Sequence, residues 1–258
     1  MWVRRDTKSF VNLTLKHIEN PLFIVLTGSR MYGFHDEESD WDVYAVFIHP
    51  SNQLLGLYEP DNEIMTPEIK LYNRTVSVKG EEVQLVFQKL IQGNMKTFER
   101  IFSPEAIMKM DAYKHIRSLS KRFFTQRLIE SYMNYIEEMK REFQRTDNIK
   151  FLIYSLRSAM TADLLLKSSV FNTRVKDIYP LYSNSNLKNL LKSKRNGSPS
   201  PNVQKAFDEI NTIQDYISTM RFKLPKESKE KDVKRAHEIL VSLRMQYLLS
   251  RRDFLSFK

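Results

Sequence analysis

Two apolar runs, Leu22–Thr27 and Val43–Ile48, bracket the segment Gly-Ser-Arg-Met-Tyr-Gly-Phe-His-Asp-Glu-Glu-Ser-Asp-Trp-Asp at residues 28–42. Each run is short, apolar and bounded by turn-forming residues, so each predicts a buried strand. Gly28-Ser29 at the end of the first strand predicts a tight turn, because glycine adopts backbone conformations that other residues avoid. Ten residues then intervene before Asp40-Trp41-Asp42 opens the second strand. Residues two apart in a strand point to one side. Both carboxylates then face one spot, and Trp41 faces the other side. Two such carboxylates can hold Mg²⁺, which is commonly bound by one or two carboxylates plus substrate phosphates. The N–H groups of a nearby glycine turn can cradle a phosphate. Taken singly, Gly28-Ser29 reads as an ordinary strand-ending turn and the Asp pair as turn caps. Taken together, they point to a phosphate-and-metal site.

The chain of 258 residues is long enough for one large domain or two small ones, and its 41% hydrophobic content supports a substantial core. Cysteine is absent, which excludes disulfides, a thiol nucleophile and Cys-based metal centres. The N-terminal residues lack the apolar core of a signal peptide, and no uncharged run reaches the length of a membrane span. A soluble, cytoplasmic protein with no membrane partner is expected. The net charge of +10 favours a polyanionic partner over a merely solubilising charge excess.

The periodicity divides the chain. A helix is predicted over 6–19, then the two strands, a strand or hairpin over 69–78, and a short strand over 81–86 leading into a helix that ends near Gly93-Asn94. Beyond residue 105 the patterns are helical: a long charged stretch over 107–145, a strong helix over 148–169, and two more over 204–220 and 231–250. Gly197-Ser-Pro-Ser-Pro201 reads as an exposed loop. The expected fold is α+β. A small mixed-sheet domain at residues 1–105 precedes a mostly helical domain at 106–258.

The order strand, Gly28-Ser29, ten residues, Asp40-Trp41-Asp42, strand resembles the nucleotidyltransferases of the DNA polymerase β superfamily. Gly28-Ser29-Arg30-Met31-Tyr32-Gly33, Ser39-Asp40-Trp41-Asp42 and His49-Pro50 are most similar to its RNA-repair-associated, RlaP-like branch. Downstream, Gly93-Asn94 through Glu99, Ser103-Pro104, and the Lys150…Arg157 pair on one helix resemble further segments of that branch. The resemblance implies transfer of a nucleoside monophosphate from an NTP to a hydroxyl, with release of pyrophosphate. Asp40 and Asp42 would hold Mg²⁺ or Mn²⁺. Gly28, Ser29 and Arg30 would bind the triphosphate.

A third carboxylate, expected on a neighbouring strand, has Glu82, Glu81 and Glu68 as candidates. Glu82 is preferred, as catalytic group and metal ligand, because it leads the Glu-Val-Gln-Leu-Val run. Lys150 and Arg157 lie two helical turns apart and serve equally as acceptor or phosphate contacts or as a solvated basic stripe. The basic charge and the RNA-repair resemblance make RNA, such as a tRNA or a damaged end, the expected acceptor. The alternatives are a protein-nucleotidylating enzyme of toxin or antitoxin type, and a catalytically weak module that binds nucleotide or RNA.

Overall fold

A computed structural model describes residues 3–71, 74–182, 185–196 and 202–249. The loop expected at Gly197–Pro201 lies outside them. The chain runs through α1 (Val3–His17), β1 (Pro21–Leu26), α2 (Gly28–Tyr32), β2 (Trp41–Phe47), α3 (Ser51–Leu54), β3 (Glu63–Met65), β4 (Ile69–Leu71) and β5 (Arg74–Glu82). It continues through α4 (Val83–Ile91), α5 (Met95–Ile101), β6 (Ala106–Lys109), α6 (Asp111–Ser120), α7 (Gln126–Thr146) and α8 (Ile149–Ser168). α9 (Val175–Ile178), α10 (Leu187–Asn196), α11 (Val203–Met220) and α12 (Glu230–Leu249) complete it. Among the described residues no helix is long and apolar enough to cross a membrane.

The sheet has the order β3-β5-β2-β1-β6, with β4 also paired to β5. β2 and β5 are parallel, while the other pairs are antiparallel. This is the mixed sheet of the expected α+β class. Its two faces separate by strand alternation. Ile24, Val43, Ala45, Phe47, Val76 and Val78 pack with Phe10 and Ile18 of the α1 side. Phe23, Val25, Tyr44 and Val46 join one continuous core that extends through α8 to Leu243 of α12.

Two expectations are corrected here. Residues 106–109 form β6, an edge strand paired with β1, rather than the start of a helix. The sheet thus continues past the boundary placed at 105, and the two halves share a core. Residues 81–86 do not form a separate strand. β5 ends at Glu82, whose carboxylate accepts the Gln84 N–H at 2.6 Å and caps α4. Val83, Val86, Phe87 and Leu90 then fall on one buried helical face. A run of apolar residues this short fits either period, and the cap decides it.

Glu82 is fully buried, and its other oxygen stands 2.8 Å from an Arg244 guanidinium nitrogen on α12. It joins sheet, helix and C-terminal helix at one point. Glu82→Ala is expected to destabilise the protein by about 3 kcal/mol or more, through the stranded Arg244 and the lost cap. Denaturant unfolding with an unchanged m-value checks this, and a loss below about 1 kcal/mol would contradict it.

Candidate active site

The site is built where β1 hands over to α2. Thr27 follows β1 at the N-cap of α2, and both its N–H (2.8 Å) and its hydroxyl (3.3 Å) donate to the Asp42 carbonyl. Gly28 follows with φ +63°. A side chain there is excluded twice over. The left-handed backbone disfavours it, and a methyl group would overlap the Asp42 carboxylate. Glycine thus lets the turn sit directly on Asp42. The first turn of α2 opens at this point with N–H groups that precede any intrahelical carbonyl.

β2 and β5 supply the next layer. Their parallel register sets Asp42 beside Ser77 and Tyr44 beside Lys79. Ser77 Oγ donates to Asp42 Oδ1 at 3.1 Å. Gly28, Asp42, Ser77 and Lys79 line a cavity of about 320 Å³ that is closed by Glu99, Tyr135 and Tyr154 from helices α5, α7 and α8. Asp40 lies one residue before β2 and is exposed, outside that lining.

Arg30 does not point its charge at the cavity. Its guanidinium lies 3.3 Å from the centroid of Trp41 and donates to the Ser39 carbonyl at 2.7 Å and the Asp40 carbonyl at 3.1 Å. It clamps the segment that delivers Asp40 and Asp42. Trp41 faces the α1 side and packs on Phe10 at 4.7 Å, on the opposite face from Asp42 as alternation requires.

Glu82 is not brought to the aspartates. It pairs in register with Phe47, five residues further along β5 than Ser77. Glu81 has the correct face but is already engaged. Its carboxylate accepts from Tyr44 (2.9 Å) and Arg100 (2.9 Å), with Lys79 at 3.1 Å and Lys89 at 3.2 Å. Burial pushes the Glu81 carboxyl up, yet Arg100, Lys79, Lys89 and Tyr44 outweigh it and hold the group below its ordinary value. Glu68 is exposed in the segment between β3 and β4. At the rung opposite Asp42 the neighbouring strand offers a hydroxyl, Ser77. Among the described residues no cluster of three His, Cys, Asp or Glu side chains is placed to hold a metal ion. The oxygen donors on the cavity wall are the Asp42 carboxylate and Ser77 Oγ, with the exposed Asp40 carboxylate outside that wall. As hard ligands for a divalent ion that also takes phosphate oxygens, they fit Mg²⁺ or Mn²⁺.

Lys150 and Arg157 part company. Lys150 is exposed, with Nζ 5.9 Å from the centroid of Tyr154, a cavity-lining ring. Arg157 is fully buried and donates to Glu99 Oε1 at 2.8 Å. Tyr132 donates to the same oxygen (2.9 Å) and Tyr32 to Oε2 (2.5 Å), while the Tyr32 ring lies 3.8 Å from the guanidinium carbon. Burial opposes the charge on Arg157, but Glu99 and the tyrosines overcome this and keep it protonated. Burial and the Glu99 charge likewise raise the Tyr32 phenol well above its usual range. The Glu of the Gly93–Glu99 segment and the Arg of the α8 pair are therefore each other's partners, forming part of the structural floor beneath the turn.

Ser77, Lys79, Tyr135 and Tyr154 escaped the sequence reading. For Ser77 the signal was present in the buried alternation of Val76 and Val78, which turns Ser77 to the other face. Its significance depends on the β2–β5 register, which no local pattern encodes.

An aspartate-bearing strand packed against a glycine turn, within a mixed sheet flanked by helices, defines a nucleotidyltransferase-like protein of the polymerase β type. The chain belongs to the RlaP family, described as the RNA repair pathway DNA polymerase beta family, whose model matches residues 7–242. No curated protein matches it. Among solved structures, a nucleotidyltransferase-like protein from Exiguobacterium sibiricum 255-15 is similar at a TM-score of 0.35 and 10% identity, over 83% of this chain and 73% of that one.

Arg157→Ala is expected to destabilise the protein by about 3–5 kcal/mol, because it leaves Glu99 charged, buried and unpaired. Lys150→Ala is expected to leave the unfolding midpoint unchanged. Equal effects of the two substitutions in urea titrations would overturn this division. Glu81 gives a pH signature. A lowered folded-state value means that its stabilisation is present above the unfolded carboxylate range, near pH 4.3, and is lost as pH falls through the folded value. Comparison of Glu81→Gln with the parent in acid titrations should show a shallower loss of stability below about pH 4.5.

Proposed function

We propose that this protein transfers a nucleoside monophosphate from an NTP to a hydroxyl of RNA, using a divalent metal ion. The observation that carries the reading is the seating of the Gly28 turn directly on the Asp42 carboxylate at the cavity. It brings the backbone of the turn, whose N–H groups would bind phosphate, against the carboxylate that would bind metal. The acceptor hydroxyl would lose its proton to solvent and form a bond to the α-phosphorus as the bond to the bridging α,β-oxygen breaks, and pyrophosphate would leave. Asp40 and Asp42 would hold Mg²⁺ or Mn²⁺, with Ser77 orienting Asp42. The bound ion supplies charge neutralisation and a template for in-line displacement. Gly28 and Ser29 would fix the triphosphate through backbone N–H groups. Arg30 would act on the donor side by keeping the Asp40–Asp42 segment in place.

RNA as acceptor is supported by the net charge of +10, by the family's description and by exposed Lys150 beside cavity-lining Tyr154. Such a role belongs in the cytoplasm, where NTPs and RNA meet. The assay is label transfer from each NTP to total RNA with Mg²⁺ or Mn²⁺. Asp42→Asn is expected to lower transfer by more than about a hundredfold. Absence of transfer, or transfer indifferent to Asp42→Asn, would falsify the reading. Lys150→Glu is expected to weaken RNA binding and to reduce its salt dependence by about one counterion. An unchanged slope in filter binding across salt concentrations would contradict a phosphate contact there.

A second reading rests on Ser77. With a hydroxyl at the rung opposite Asp42, the site would bind Mg²⁺–NTP and turn it over slowly. Under this reading, calorimetry finds tight NTP binding while label transfer stays slow, and Ser77→Asp raises metal affinity. Rapid transfer by the unmodified chain would exclude it.

A further inference from the structure

The excess positive charge of this chain is concentrated in two stretches of its helical half. Residues 114–127 hold five Lys or Arg and no Asp or Glu, and residues 221–234 hold six against three. Together they carry +8 of the net charge of +10, so acids and bases nearly balance over the rest of the chain. The fold fastens the two stretches to one another. Gln126 donates its backbone N–H to the Pro225 carbonyl and its Nε2 to the Leu224 carbonyl, both at 2.9 Å. Arg122 pairs with Asp232 at 3.0 Å, and Arg127 with Glu227 at 2.5 Å.

Those pairs use up acids and leave a set of cations unmatched. Lys114, Arg117 and Lys121 recur at three- and four-residue spacing along α6 and the turn after it, away from buried Tyr113, Ile116 and Leu119. Lys223, Lys226 and Lys229 lie on the second stretch. All six are exposed, and among the described residues none is in an ion pair. Among the described residues of both stretches, Phe222 is the one large apolar side chain left exposed, at 67%, with the Arg221 guanidinium 5.0 Å from its ring centroid. No residue of this face lines the Asp42 cavity. α7 connects the two: Arg127 near its start and cavity-lining Tyr135 are eight residues apart, about 12 Å along the helix.

We infer that this face docks the phosphate backbone of the RNA acceptor outside the transfer cavity; the inference rests on the RNA-transfer reading above. Unmatched cations gathered on one surface favour a polyanion, because neutralising its phosphates releases condensed counterions. An exposed ring beside a guanidinium plane adds a stacking platform for an unpaired base. An anionic lipid surface fits less well. A membrane-seated segment buries a row of apolar side chains, and this face exposes one ring. The offset along α7 lets an RNA held here bring its end to the cavity, so docking and transfer engage different parts of one strand.

The test is binding of a labelled single-stranded RNA oligonucleotide and of unfractionated tRNA to the full chain, without NTP, across salt concentrations. The triple variant Lys121→Glu, Lys223→Glu, Lys226→Glu is expected to bind both RNAs at least about tenfold more weakly in low salt, with a log-affinity against log-salt slope shallower by about two. Gln at the same three positions should lower the slope equally, which separates lost phosphate contacts from repulsion or misfolding. Phe222→Ala is expected to weaken oligonucleotide binding at least about fivefold and to leave the slope unchanged. An unchanged slope in both triple variants overturns the docking face. So does binding to phosphatidylserine vesicles that the triple substitution abolishes while RNA binding is untouched. Label transfer to RNA beside an unchanged slope leaves the transfer reading standing, whereas RNA binding that follows these expectations without label transfer overturns the transfer reading alone. If neither RNA binds, both fail.

Discussion

The buried pair between Glu99 and Arg157 is the interaction on which the rest depends. The carboxylate and guanidinium stand 2.8 Å apart and are almost completely removed from solvent. Desolvating two charges is expensive, and their attraction compensates only when further hydrogen bonds complete the shell. Tyr32 and Tyr132 supply these, and the Tyr32 ring covers the guanidinium. The participants come from α2, α5, α7 and α8. Tyr32 is the last residue of the short helix that begins at Gly28. The pair therefore ties the turn that would hold phosphate to the helices that wall the cavity. Loss of either charge would loosen the site from below without touching a ligand.

The parallel pairing of β2 with β5 sets the other half of the geometry. Parallel neighbours need a crossover connection, supplied here by the segment that carries α3, β3 and β4. Its register makes Ser77, rather than a carboxylate, the neighbour of Asp42. Four residues further along β5, on the same face, Glu81 gathers Lys79, Lys89 and Arg100. The cavity thus runs from the rung of the Asp42 carboxylate toward one where Lys79 and Arg100, which also line it, hold the Glu81 carboxylate.

What was legible in the sequence follows from how local each signal was. The strands at 22–27 and 43–48, the Gly28 turn and the opposed faces of Asp42 and Trp41 rest on period-two alternation and on glycine, and they are present in the structure. The helical expectation from residue 107 onward takes in most of β6 because Ile-Met-Lys carries no strand signal of its own; the pairing with β1 is a tertiary event. Glu82 was read as a metal ligand because it leads an apolar run. A helix cap and a remote arginine at position 244 claim it instead. Arg157 shared a helical face with Lys150, but the spacing could not show that α8 is buried along its middle and exposed at its start. Its partner, Glu99, lies 58 residues away. Long-range charge pairing is the part of the site that local patterns do not carry.

The central claim is that Gly28, Ser29, Asp40 and Asp42 form the donor end of a nucleotidyl-transfer site. A crystal structure with a non-hydrolysable NTP and Mg²⁺ tests it most directly. The account predicts the triphosphate against the N–H groups of Gly28 and Ser29, with the ion bridging its oxygens to the Asp42 carboxylate. A nucleotide bound elsewhere, or phosphates turned away from Asp42 with no ion on that carboxylate, would contradict it.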